Sequence, residues 1–359
     1  MEKSDILKAL STVQEPDLKK DLVFLKMIQD IEINGNEVSF KVVLTTPACP
    51  MKDKIEKDCV AAIHNLVSDQ AIVKLEFTAN VTSNRSDKLT LPHVKNIIAI
   101  ASGKGGVGKS SVASNLAIAL SLKGAKVGLL DADIHGPSVP MMFGVMNEQP
   151  MMRHVDDKEL MVPIEKFGIK LLSIGFLIKP EQAVVWRGPM VSSALRQFVN
   201  DTDWGELDYL ILDLPPGTGD VHLTMIQVVP LTGVVMVTTP QAIALADAYK
   251  AATMFGMTGV KVPILGIVEN MAYFTPAELP DNKYHIFGQG GGKTMSNELQ
   301  VPFLGEVPIF MGIREGGDQG TPGAAVEGSP VQKVFFQIAE KVAQQIALIN
   351  AIPREVVGQ

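Results

Sequence analysis

The sequence predicts a doubly wound α/β fold, a mostly parallel sheet with helices on both faces, and a small α/β domain ahead of it. Three observations carry that expectation. A glycine-rich loop lies between an apolar run and a helical segment, strands and helices alternate after residue 94, and residues 1–86 have a pattern of their own.

The loop is Gly103-Lys104-Gly105-Gly106-Val107-Gly108-Lys109-Ser110. It meets the pattern G-x-x-x-x-G-K-[ST], in which glycines let backbone N–H groups close around phosphate oxygens. Lys109 then reaches the outer phosphates, and Ser110 offers its hydroxyl to Mg²⁺. The run Ile97-Ile98-Ala99-Ile100-Ala101 leads in as a buried strand and Ser111 to Leu122 leads out as a helix, which puts phosphate at a helix N-terminus. Lys104 is a lysine beyond what the pattern requires.

Taken in order, residues 1–86 read as a helix at Lys3 to Ser11, strands near Asp30 to Ile33 and Val38 to Leu44 around Asn34-Gly35, a helix from Met51 to Ser68 and a third strand. Ile55, Cys59, Ile63, Leu66 and Val67 repeat at helical spacing in that second helix. The polar stretch Thr82 to Lys88 marks a linker, residues 87–93, into a second domain, residues 94–359. There the strands are Ile97–Ala101, Lys126–Asp131, Tyr209–Asp213, Gly233–Thr238, Val262–Glu269 and Phe303–Val307, with a helix from Ala242. From Pro330 to Asn350, Val334, Phe335, Ile338, Val342, Ile346 and Ile349 share one helical face, while the polar face has few cations. That fits a helix packed on a sheet better than one lying on an anionic bilayer.

Composition narrows the function. A formal net charge of −7 argues against a dedicated nucleic-acid binder. The opening Met1-Glu2-Lys3-Ser4-Asp5 has no apolar signal core, no stretch reaches membrane-spanning length, and the two cysteines, Cys49 and Cys59, suit a reducing compartment, so a cytoplasmic protein is expected.

Two acidic segments complement the loop. Asp213 closes the apolar run Tyr209-Leu210-Ile211-Leu212, where a carboxylate can hold the Mg²⁺ hydration shell, and Leu214-Pro215-Pro216-Gly217-Thr218-Gly219-Asp220 follows with glycines that admit a backbone N–H to the γ-phosphate. In Asp131-Ala132-Asp133-Ile134-His135-Gly136-Pro137-Ser138, Asp133 is the candidate for positioning the attacking water or accepting its proton. Asp131 and Asp133 also suit turn formation, and His135 is a hydrogen-bonding turn residue.

Together, the segments Lys104 to Ser110, Asp131 to Ser138 and Asp213 to Asp220 closely resemble the Mrp/ApbC family of P-loop ATPases. Val185-Trp186-Arg187-Gly188-Pro189-Met190, Asp203 to Tyr209, Glu269-Asn270-Met271 and Phe287-Gly288-Gln289-Gly290-Gly291-Gly292 extend the likeness over nearly the whole chain. The resemblance implies a homodimeric ATP hydrolase of the deviant Walker A class, acting on the β–γ phosphoanhydride, with Lys104 reaching phosphate across the dimer. It implies nucleotide contacts from Gly103, Lys104, Gly105, Gly106, Val107, Gly108, Lys109, Ser110 and Ser111, with Asn270 on the adenine edge. It also implies a carrier that passes iron-sulfur clusters to apo client proteins, while the net charge and the cation-poor last helix speak against nucleic acid and membrane as partners. Residues 1–86 resemble the small α/β domain of iron-sulfur assembly factors, with Thr45-Thr46-Pro47-Ala48-Cys49-Pro50 as its hallmark.

One departure stands out. Family members that bridge a cluster across the dimer use a Cys-x-x-Cys pair between the Glu-Asn-Met segment and the glycine-rich run, and Ala272 to Ile286 contains no cysteine. Cys49, ahead of a helix N-terminus that favours thiolate, is the remaining ligand candidate, or else a small residue filling a turn; Cys59 reads as core. Carboxylates or His285 are minor candidates. Two rivals follow: an ATP-dependent scaffold or regulator without cluster binding, and a spatial-organising ATPase of the division-site or partition kind. A reductase with a dimer-bridging cluster is disfavoured by the missing pair. Met141-Met142 and Met151-Met152 read as core-gap fillers. Gly288 to Gly292 reads equally as a mobile loop or a turn.

Overall fold

The structure, a computed structural model, describes residues 1–85, 90–134, 136–155, 158–177 and 188–352. His135, the Val185-Trp186-Arg187 part of the motif and residues 86–89 around the expected linker lie outside the described residues. The chain forms two compact units, residues 1–84 with the chain from Ala343 onward, and residues 85–342.

In the first unit, β1 (Ile28–Asn34) pairs antiparallel with β2 (Glu37–Leu44), and β2 pairs parallel with β3 (Ile72–Ala79). Burial alternates strictly along β2, so Val38, Phe40, Val42 and Leu44 point into one core. Helices α1 (Lys3–Leu10) and α2 (Lys52–Leu66) supply Ile6, Leu10, Ile55, Cys59 and Ile63 to that core. This is the periodicity the sequence predicts: period two on the strand, three to four on the helices.

The second unit is built on an eight-stranded sheet. Its strands are β4 (Val94–Ala101), β5 (Val127–Asp131), β6 (Ile164–Lys166), β7 (Ile169–Ser173), β8 (Leu207–Asp213), β9 (Gly233–Thr238), β10 (Ile264–Asn270) and β11 (Phe303–Val307). They lie in the order β6-β7-β5-β8-β4-β9-β10-β11. All pairs are parallel except the β6–β7 hairpin at one edge. Helices α3 (Lys109–Leu122), α4 (Gly188–Asn200), α5 (Asp220–Val228), α6 (Ala242–Gly256), α7 (Gly291–Glu298), α8 (Met311–Asp318) and α9 (Pro330–Ala351) complete the elements used below. Val112 to Leu120 of α3 are buried without a polar stripe, as expected of a helix enclosed by its surroundings. The expected apolar face of α9 is real at Phe335, Ile338 and Val342, all buried.

The order β5-β8-β4-β9 determines where a ligand can bind. β8 inserts between β4 and β5, while the chain then moves to the other side of β4, so the reversal opens a crevice at the C-terminal ends of these strands. Each of β4, β5 and β8 delivers one of the candidate segments there. Among the elements without a counterpart in the sequence reading are helices α4, α5, α7 and α8, the β6–β7 hairpin and the exposed ribbon Met151–Val155 with Lys158–Val162. The methionine reading is corrected in part. Met151 is 73% exposed, Met152 57% and Met141 49%, so these three do not fill core gaps. None of the described helices is long and apolar enough to cross a membrane.

Candidate nucleotide-binding site

The loop from β4 to α3 is shaped by two close approaches. A Cβ on Gly103 would fall 2.1 Å from the Asp247 carbonyl carbon in α6, so the backbone passes only because the position is glycine. Gly108, with φ +81°, caps α3, and a Cβ there would meet the Asn270 Nδ2 at 2.2 Å. That amide donates to the Val107 carbonyl at 2.8 Å, bracing the loop from the end of β10. The first N–H groups of α3 are left without helical acceptors and point toward the strand ends, the arrangement that holds anions. Lys104 is exposed, and its ammonium makes no hydrogen bond or ion pair with the described residues.

Behind the loop sits a buried charge cluster. Lys109 donates to Asp213 Oδ1 at 2.6 Å and lies 3.3 Å from the Ser110 hydroxyl. The Lys109 and Asp213 side chains are 6% and 0% exposed. Asp213 Oδ2 is buried with no hydrogen-bond partner among the described residues, an unsatisfied acceptor on a carboxyl that Lys109 and the nearby Ser110 hydroxyl both act on. Such an oxygen is costly unless a ligand or ion uses it.

Register creates a second element of the site. Ser173, Asp131 and Asp213 are cross-strand partners on β7, β5 and β8. Asp131 Oδ2 accepts from the Ser138 and Val139 N–H groups at 3.0 and 3.2 Å and from the Ser173 hydroxyl at 3.1 Å. Its Oδ1 accepts from the Asp133 N–H at 3.1 Å. Asp131 therefore curls the chain after β5 back over its own strand end and fixes where Asp133 stands. Burial, and after it the charge of Asp213, push the Asp131 carboxyl up to about 7, against the hydrogen bonds and Lys109. Burial raises Asp213 too, opposed by Lys109. One lysine facing two buried carboxylates cannot hold both ionised without strain, so the cluster is short of positive charge. Asp133 itself is half-buried, and its charge is felt at both Asp213 and His222.

Beside the loop a largely apolar cleft of about 510 Å³ opens, lined by Gly108, Ser111, Asn270, Phe287, Pro308 and Ile309 among others, with Arg314 and Asp318 in its wall. It has the size and apolar character of a nucleoside pocket. Of the residues the sequence singled out, Gly108, Ser111 and Asn270 line this cleft, while Lys109, Ser110, Asp133 and Asp213 gather at the charge cluster next to it.

The cysteines stand elsewhere. Cys59 is fully buried in the first unit's core, and burial pushes its thiol up to about 12, which removes it as a ligand. Cys49 is half-buried, two residues before the Met51 N-cap of α2, and packs against the same core. His285 Nδ1 lies 3.2 Å from the Ala272 carbonyl, and the ring stands edge-on to Tyr273. No group of three or more His, Cys, Asp or Glu side chains suited to a metal ion occurs among the described residues. The glycine run is a turn tied to β10: Glu269 accepts from the Gly290 N–H at 3.3 Å and from the Gly292 N–H, where the run leads into α7.

Sequence reasoning missed Ser173 and underrated Asp131. The signal was faint: Ile169-Lys170-Leu171-Leu172-Ser173 is a short apolar run broken by lysine, and only its pairing with β5 shows that a serine ends it beside an aspartate.

Comparisons with known proteins show the family. Residues 93–343 match the family of NUBPL iron-transfer P-loop NTPases, and residues 3–73 match an iron-sulfur cluster assembly protein family. The chain is 49% identical to an iron-sulfur cluster carrier protein of Synechocystis, over 96% of this chain and 97% of that one. It is 41% identical to the iron-sulfur cluster carrier protein of Escherichia coli, over 94% and 90%. Among solved structures, a nucleotide-binding protein from Archaeoglobus fulgidus in complex with ADP is 37% identical, with a TM-score of 0.58 over 68% of this chain and 92% of that one.

Proposed function

The chain belongs to the family of NUBPL iron-transfer P-loop NTPases, and from that premise we propose that it is an ATP hydrolase that carries iron-sulfur clusters to apoproteins. The observation that carries the nucleotide half is the buried Lys109–Asp213 pair with its unsatisfied Asp213 Oδ2, set between a phosphate-loop turn and a nucleoside-sized cleft.

The residues fit Mg²⁺. Ser110 Oγ and the unpaired Asp213 oxygen are hard donors of the kind that hold it, through water or directly. Bound there, the ion neutralises charge on the β- and γ-phosphate oxygens. The other steps belong to the chain. Backbone N–H groups of Gly105 to Ser110 cradle the phosphates, and Lys109 turns its ammonium from Asp213 to the outer oxygens. Asp133, held by Asp131, orients the attacking water and takes its proton at a carboxylate oxygen. Lys104, exposed, acts on the nucleotide of a second copy in a homodimer. Asn270 meets the adenine edge with the amide hydrogen left over after its bond to Val107. The domain limits we propose are 1–86 and 94–359, because α9 is one continuous helix that starts within the second domain. A cytoplasmic location goes with the same reading.

The cluster is cargo, and Cys49 is its proposed ligand in each protomer. Anaerobic reconstitution with iron and sulfide, read by absorbance and Mössbauer spectra, tests this directly. We expect a cluster that transfers to an apo-acceptor and is lost in Cys49→Ala. ATP turnover with no cluster in the wild type overturns the carrier reading in favour of an ATP-dependent scaffold, the second reading that the cysteine-free interval Ala272 to Ile286 favours.

A further inference from the structure

His222 lies in the first turn of α5, directly after the loop 214–219 that hangs beside the phosphate loop. The histidine is 1% exposed, and both its ring nitrogens are buried without a hydrogen-bond partner. A buried imidazole with neither nitrogen satisfied is uncommon, because each unpaired polar atom forfeits its hydration for nothing. The carbonyls of Pro215 and Gly219 lie alongside the ring, near enough to favour its proton, yet neither accepts a hydrogen bond from it. Burial outweighs them and, with Lys109 nearby and Asp133 opposing, keeps the ring neutral with a single N–H.

The loop between is tied at two points. The Leu214 N–H donates to the Ile100 carbonyl at 3.1 Å and the Gly217 N–H to the Ser102 carbonyl at 2.9 Å, so it is anchored to β4 and to the start of the phosphate loop. Its apex, Pro216, Thr218 and Gly219, is exposed. Gly217 takes φ +96°, a left-handed conformation that favours glycine. The Gly219 carbonyl already accepts the His222 backbone N–H at 3.0 Å, whereas the Pro215 carbonyl takes no backbone bond among the described residues. One donor without an acceptor therefore faces one acceptor without a donor, across a loop anchored to the nucleotide site.

We propose that His222 is a positioning residue for ATP turnover: its ring N–H bonds the Pro215 carbonyl when a nucleoside triphosphate draws loop 214–219 against the phosphates, and that bond holds the loop closed. The inference rests on the nucleotide reading above. ADP, lacking the γ-phosphate that the loop approaches, leaves the bond unmade.

The test uses the full chain labelled with ¹⁵N-histidine. Magnesium with a non-hydrolysable ATP analogue should bring up a slowly exchanging His222 ring N–H signal, and magnesium with ADP should not. His222→Leu should lower kcat about fivefold to tenfold, the value of one lost hydrogen bond, with ADP affinity and Tm unchanged. His222→Gln, which keeps an N–H donor, should restore most of the loss. Analogue binding without the N–H signal overturns the latch alone, as does a His222→Leu protein that turns over like wild type or loses ADP affinity in step with kcat. A wild-type chain that binds no nucleotide overturns the parent reading and the latch with it. Binding with the N–H signal but no hydrolysis overturns the ATPase reading and, with it, the role of His222 in turnover.

Discussion

The two α/β units deal with polar groups in opposite ways. In β2 of the first unit every second residue leaves the core, so Ser39 and Lys41 reach the other face and no charge is trapped. In β8 of the second unit every residue from Tyr209 to Asp213 is buried, and the aspartate has no exit. A sheet covered on one face sends its polar side chains to solvent, whereas a sheet covered on both must collect them at strand ends and satisfy them there. Asp131, Asp213, Lys109 and Ser173 are that collection, left one donor short. The comparison separates the candidate groups: the first unit offers one half-buried thiol and the buried carboxyl of Glu15, held by its own turn, the second a concentrated charge cluster.

The sharpest way to break this contrast is Lys109→Ala. Steady-state turnover should fall at least about a hundredfold, as for removal of a group that stabilises transition-state charge. Removing the cation also leaves two buried carboxylates facing each other, so urea unfolding should show a loss on the order of 3 kcal/mol. Unchanged turnover would mean the cluster is not the site.

Gly103→Ala comes next. The new methyl would occupy the space of the Asp247 backbone, so α6 and the loop must separate. We expect a loss of about 3 kcal/mol and weaker nucleotide binding by calorimetry. A variant as stable as wild type would disprove the close packing of loop on helix.

Ile55→Ala sharpens the comparison from the other side. Ile55 is fully buried in the first unit, and its truncation should cost about 2–3 kcal/mol there, while ATP turnover stays within about twofold of wild type. Parallel loss of both would show that the units do not act separately.

The smallest effect concerns pH. The folded protein keeps the Asp131 proton up to about 7, whereas an unfolded chain releases it near 4. The native state therefore binds more protons between those values, and the contribution of this group, full below about pH 4, is lost as pH rises toward 7. Asp131→Asn removes the titration, so the decline of Tm from pH 5 to pH 8 should shrink by a few degrees. Equal slopes in the two proteins would rule out a raised carboxyl at this position.

Much of the site was legible because it is local. The phosphate loop, the helix after it and the carboxylate closing Tyr209-Leu210-Ile211-Leu212 are contiguous patterns whose chemistry needs no distant partner to be recognised. Strands β9 and β11 and the start of α6 fall where hydropathy and breakers place them. What escaped was non-local. Met151 and Met152 have the composition of core residues, yet the ribbon that carries them lies outside both large sheets. His222 goes unremarked in the sequence, and its significance comes from being enclosed with its nitrogens unpaired.

By itself the sequence determined the kind of ligand, a nucleotide phosphate, and the two-unit α/β plan, since backbone N–H geometry and strand hydrophobicity are written in consecutive residues. Only the tertiary structure decided which acids meet. Placing β8 between β4 and β5 brings Asp213 level with Asp131, and β7 on the far side brings Ser173 level with both. Strand order and register arise from packing among segments far apart in the chain. The charge deficit behind the phosphate loop is therefore a property of the folded sheet, and no single stretch of sequence contains it.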